Sequence, residues 1–139
     1  MLENISTLKS HANFIISRET THNIIIMEFI GDIGDEVYKE IWHTSAHFAM
    51  EYETKKFIID QSKIGKVNFK SRSWAVLSFF PSLKKILGSN IAGSVITSKQ
   101  LIHKSGVQYL IQAFRKFTGY QVNTCADYNE AINWLNSLH

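Results

Sequence analysis

The sequence predicts an α/β domain built on a helix-covered mixed sheet, and three observations carry that prediction. Two short Ile-rich runs stand close together near the amino end. After them, short apolar runs alternate with segments of helical period. The chain then closes on an amphipathic helix whose apolar face needs a sheet to cover it.

The first runs, residues 13 to 18 and 23 to 30, are rich in Ile and Phe and read as strands. Glu19-Thr20-Thr21-His22 between them fits a hairpin turn. Gly31-Asp32-Ile33-Gly34 reads as the end of the strand pattern and the start of a helix. From Asp35 on, Val37, Ile41, Phe48 and Tyr52, with Trp42 and Ala49 beside them, follow a helical period. Residues 56 to 60 (KFIID) form a short apolar run ending in an acid, which fits a buried strand. Residues 61 to 69 read as a loop. A second helix is expected from Lys70-Ser71, with Trp74, Val76 and Leu77 on its apolar side. Pro81 should end or kink it, because proline lacks the N–H and crowds the preceding turn.

Residues 90 to 97 (NIAGSVIT) read as the next strand. Within residues 98 to 117, Val107, Leu110, Ile111 and Phe114 recur at i, i+3, i+4 and i+7, a helical face. Residues 120 to 124 make a short last strand. Asp127 is a good N-cap, with Glu130 three positions on in capping-box fashion. Ala131, Trp134, Leu135 and Leu138 then share one face, and Trp134 and Leu135 should be buried against the sheet. The order is β-β-α-β-α-β-α-β-α, which implies a mostly parallel sheet with an antiparallel pair at its start.

The 139 residues fit a single domain spanning 1–139. A domain of this size buries roughly 68% of its unfolded surface, so it needs no metal or disulfide staple. Apolar residues are 45% and charged residues 19%, a globular balance. The lone Cys125 excludes an internal disulfide and reads as a small buried residue of the reducing cytosol. The apolar runs are far shorter than the ~20 residues a membrane span requires, and the amino end lacks a signal-peptide pattern. The expected location is the cytoplasm. The net charge of +3 comes from dispersed Lys and Arg, without the clustering that nucleic-acid binding requires.

Catalytic motifs are missing. No GxSxG, GxGxxG or GxxxxGK[ST] occurs, and a non-enzymatic chain without cofactor is expected. His43 and His47 stand at i, i+4 with Glu51 one turn on, yet HTSAH lacks the glutamate of the HExxH motif, so no metal is expected. Asp60 ends a strand, where ligands gather in α/β folds, and with Ser62 and Ser71 it is the candidate polar cleft. The competing role for Asp60 and Ser62 is to satisfy turn and helix-end backbone groups. An enzyme hypothesis would rest on Asp60, Ser62, Ser71 and the histidine pair. The segment from Trp74 through Phe79-Phe80-Pro81 and Leu83 is the most apolar of the chain, suited to core packing, dimerisation or an apolar ligand.

The Ile-rich hairpin, KFIIDQS at 56–62, Trp74 with Phe80-Pro81-x-Leu83, Gly88 before IAGSVIT, and EAINWL at 130–135 together resemble the STAS domain of SpoIIAA-like small bacterial proteins. The resemblance implies a regulatory or protein-interaction module with a protein partner or a homodimer. The related SEC14/CRAL-TRIO fold implies the alternative, a carrier or sensor of an apolar small molecule or lipid. In SpoIIAA-type switches a partner kinase phosphorylates a serine at the start of the helix after the third strand. That position falls on Ser71 in Lys70-Ser71-Arg72-Ser73, with Lys70 in place of the acid and Ser73 in place of the glycine. A phospho-acceptor Ser71 should sit exposed at a helix amino terminus; an unmodified Ser71 would cap that helix.

Overall fold

The computed structural model describes residues 4–97, 111–112, 115–116 and 118–138. Among the described residues, six strands form one sheet: β1 (Ile5–His11), β2 (Phe14–Glu19), β3 (Ile24–Ile33), β4 (Lys56–Val67), β5 (Ala92–Ile96) and β6 (Gln121–Cys125). They lie side by side in chain order. β1–β2 and β2–β3 pair antiparallel, whereas β3–β4, β4–β5 and β5–β6 pair parallel. Helix α1 (Asp35–Glu51) joins β3 to β4, and a helical path of α2 (Phe69–Trp74), a π-helical turn (Ala75–Phe79) and α3 (Phe80–Leu87) joins β4 to β5. Helix α4 (Tyr128–Ser137) follows β6.

Sequential order fixes the layering. Parallel crossovers are right-handed, so connections that always step in one direction lay their helices on one face of the sheet. Accordingly Ile41, Trp42, Phe79 and Leu83 from the crossover helices share one core with Phe14, Ile25, Met27, Phe29 and Phe57 of the strands. α4 covers the other face, where Ile24, Ile26, Ile58 and Ile96 meet Ala131, Ile132 and Leu135. Alternate residues of β3 and β4 feed the two cores, as the two-residue period of a strand requires.

Several elements differ from expectation. β1 adds a strand that the sequence pattern did not signal, because ISTLKSH is polar and almost wholly exposed; it is an edge strand with a charged Lys9. Gly31-Asp32-Ile33 does not stop β3, which runs through Gly31 at φ +70 with irregular register and ends at Ile33. Asp60 does not end β4 either. The expected loop 61–69 is strand up to Val67, paired with the far end of β3. Asp32 Oδ1 accepts from Lys66 N at 2.7 Å there.

Pro81 neither ends nor shortens the second helical path. A regular helix would need an N–H at Pro81 for the Leu77 carbonyl and would bring the ring against it. The turn just before the proline is instead wound as π-helix, with Phe80 N bonded to Ala75 O, and the helix then continues to Leu87. The buried side of this path is Ser71, Ala75, Phe79 and Leu83; Leu77, expected inside, is exposed.

α4 has the expected cap. Asp127 accepts from Glu130 N at 2.9 Å, while the Glu130 carboxylate reaches Ala126 N at 3.0 Å, one residue before the usual partner. Leu135 is fully buried, with Ala131 and Ile132, but Trp134 is only half-buried against this core. The helix predicted within 98 to 117 falls mostly outside the described residues. Among the described residues no helix is long and apolar enough to cross a membrane.

Candidate functional site

The two faces of the sheet offer different chemistry. On the face covered by α4, Asp60 is buried and Ser62 follows two residues on, on the same side of β4. Asp60 Oδ1 accepts from Ser62 N at 3.0 Å and from Ser62 Oγ at 2.7 Å. Its Oδ2 accepts a short hydrogen bond from the Tyr128 hydroxyl at the start of α4. Burial pushes the Tyr128 phenol well above its ordinary range, and the Asp60 and Glu28 carboxylates add to that. Glu28 pairs with Asp60 across the β3–β4 register. Its pKa is raised, first by burial, while Lys63 at 3.8 Å opposes and Asp60 reinforces the shift. Both Asp60 oxygens are thus engaged, Oδ1 within β4 and Oδ2 in joining β4 to α4.

Ser71 does not join this group. It lies under the crossover helices on the opposite face, fully buried, and its Oγ donates to Asp35 Oδ1 at 2.7 Å. The cap of α2 is Asn68, whose side chain accepts from Lys70 N at 2.8 Å. Ser71 is therefore neither the exposed residue that a helix-terminal phospho-acceptor requires nor the cap. The Asp60–Ser62–Ser71 cleft is not formed.

His43 and His47 are exposed on α1. His43 packs its ring edge-on against Trp74 and Phe79, with centroids 5.3 and 5.4 Å apart. No histidine contacts Asp60 among the described residues, and none of these holds a cluster of three or more metal-ligating side chains. Cys125 is buried, with Sγ 3.1 Å from Ser94 Oγ.

The Ser71 face holds an apolar cavity. A cavity of about 350 Å³ opens between α1, the α2–π–α3 path and the strands β4, β5 and β6. Phe57, Ile59 and Val95 form its floor, and Trp42, Phe79 and Leu83 part of its walls. Phe69 and Leu77, which also border it, are 81% and 67% exposed. Alternation along β4 explains why Phe57, Ile59 and Gln61 face this cavity while Ile58, Asp60 and Ser62 face α4. At β5 the floor is Gly93, where an added Cβ would come within 3.2 Å of Ile59 Cδ1.

Polar groups in the lining are few. Arg72 borders the cavity, and among the described lining residues it carries the only charge. Tyr38 and Trp42 stand one turn apart on α1, and both are nearly buried. Burial raises the Tyr38 phenol; the neighbouring Trp42 N–H and the Arg72 charge oppose the rise. The indole N–H approaches the phenol without a hydrogen bond of proper geometry, and Trp42 Nε1 is left buried and unpaired. Sequence reasoning singled out the aromatic segment 74–87, and Arg72 only as a basic neighbour of Ser71, but not Tyr38 or the Trp42 N–H. The spacing Tyr38-x-x-x-Trp42 was visible. That it faces Arg72 depends on the packing of α1 against α2.

No family model matches the chain, and no curated protein does. A solved structure does match: an uncharacterised protein of the DUF3478 family with a SpoIIAA-like fold from Shewanella loihica PV-4. The likeness covers 97% of this chain and 96% of that one, with a TM-score of 0.61 at 15% sequence identity. That level of identity speaks for the fold alone. Over nearly its whole length this chain has the SpoIIAA-like fold.

Proposed function

We propose that the protein is a non-catalytic binding module of SpoIIAA-like fold whose cavity receives an apolar small molecule. The observation that carries this reading is the cavity itself: about 350 Å³, walled mainly by aliphatic and aromatic side chains. Ligand sites are typically clefts of ~300–1,000 Å³ of this character with a few placed polar groups. The residues that an enzyme reading would use are dispersed: Asp60 and Ser62 on one face, Ser71 on the other, the histidines outside.

The test is saturable binding of a neutral apolar probe. 1-Decanol should bind at one molecule per chain and raise the thermal midpoint as its concentration passes Kd. Val95→Phe, which places a ring in the cavity, should weaken that binding at least tenfold. Decanol binding that never saturates, or that Val95→Phe leaves unchanged, would overturn the reading.

A second reading, self-association as a protein-interaction module, is favoured by the exposure of Phe69 and Leu77 at the border of the same cavity. It would show as a mass that rises with concentration in light scattering and returns to monomer in a Phe69→Ser, Leu77→Ser variant.

A further inference from the structure

Three of the cavity's polar side chains can offer donors, while Ser45, Gln61, Ser73 and Tyr120, which also border it, can donate or accept. Trp42 Nε1–H can only donate, and Tyr38 Oη–H is a donor at neutral pH. Arg72 is a permanent cation with five N–H donors. No Asp or Glu borders the cavity among the described residues, and none of these residues pairs with Arg72. Asp35, on the same side of the sheet, is already held by Ser71 at 2.7 Å and Lys39 at 3.2 Å. An unpaired buried N–H is costly and uncommon, and here it belongs to a side chain only 7% exposed that lines the cavity. A neutral hydrocarbon would leave all three donors unanswered.

We propose that the ligand is an apolar carboxylic acid bound as its anion, with the carboxylate at Arg72, Tyr38 and Trp42 Nε1–H and the apolar body between Phe79, Leu83 and Val95. This rests on the reading of the cavity as a ligand site and names the chemical class of its occupant. A carboxylate offers two oxygens that a guanidinium can meet side by side, and its remaining lone pairs accept from the phenol and the indole. One cation and no further positive charge among the described lining residues match a monoanion better than a phosphate monoester. Size narrows the body. At about 350 Å³ the cavity stands at the lower end of the ~300–1,000 Å³ range of ligand sites, which suits a small body such as that of decanoic acid.

The experiment compares decanoate, 1-decanol and decylamine by titration calorimetry at pH 7.5, on the wild-type chain and on Arg72→Gln. Decanoate should bind at least tenfold more tightly than decanol, and decylamine more weakly than either. Arg72→Gln should bring decanoate to the affinity of decanol and leave decanol unchanged. Trp42→Phe, which keeps an aromatic ring and removes the N–H, should weaken decanoate more than decanol. Decanoate no tighter than decanol in the wild type overturns the carboxylate assignment while leaving the apolar cavity standing, and this comparison needs no variant to fold. Binding of none of the three overturns the cavity reading itself. A preference for decanoate that survives in Arg72→Gln, with an unchanged thermal midpoint, removes Arg72 from the site.

Discussion

At the scale of single residues, Ser71 illustrates how burial decides a role that sequence leaves open. Its position near the start of a helix after β4 was legible, as was the basic pair around it. Its orientation was not, since that follows from which turn of α2 faces α1. The true cap, Asn68, is a strong capping residue that lay inside what reads as a loop. The Ser71 hydroxyl, followed by Lys39, holds the Asp35 carboxyl below its ordinary value. A depressed carboxyl contributes stability that is present above the unfolded pKa, ~3.9 for Asp, and is lost as pH falls through the folded pKa. Ser71→Ala should therefore move the Asp35 carboxyl upward in an NMR titration and make the fold less stable at pH 7, with the difference closing in acid. Ser71→Asp is the sharper test. An exposed cap would tolerate it, but a buried carboxylate set against Asp35 should cost on the order of 3 kcal/mol or more. A denaturant midpoint for Ser71→Asp equal to wild type would contradict the burial.

At the scale of elements, what could be read from sequence followed from periodicity, and what was missed followed from exceptions to it. β2, β3, α1, β5, β6 and α4 announce themselves by runs, period and caps. β1 does not, because an edge strand contributes only half-buried Leu8 to the core. The second half of β4 does not, because Lys63, Gly65 and Lys66 look like loop. Gly65 is nevertheless required in that strand: a Cβ there would lie 2.2 Å from Asp32 Oδ1 and 2.9 Å from the Gly31 carbonyl carbon. α4 shows the opposite case, where the pattern was right and the most buried member was misjudged. Trp134 is too large and too near the edge of the face to be enclosed, whereas Leu135 sits at its centre among Ile24, Ile26 and Ile58. Leu135→Ala should cost ~2–5 kcal/mol, and Trp134→Ala less than the 3–5 kcal/mol typical of a fully buried Trp. Urea midpoints for the two variants check the order, and a larger loss at Trp134 would reverse the assignment of the α4 core.

At the scale of the whole molecule, sequential strand order makes stability graded across the sheet. β3 and the first half of β4 are flanked on both edges and covered on both faces, by the cavity-side helices and by α4. β1 has one free edge and is exposed along nearly its whole length. Backbone hydrogen bonds with few buried contacts open at low free energy, whereas those at the centre open only with global unfolding. Native-state hydrogen exchange should thus rank β1 fastest, β2 intermediate, and Ile25, Met27 and Ile58 slowest. The cavity lies between these extremes, bordered by the slow floor of β4 and β5 and by the π-helical turn. A ligand that binds only the folded chain stabilises every segment that opens with release of that ligand. Addition of decanoate should therefore slow exchange in residues 69–87 and at the floor of β4 and β5, while leaving β1 unchanged. Uniform slowing that includes β1 would mean that the edge strand opens only with the cavity, and the graded picture would fail.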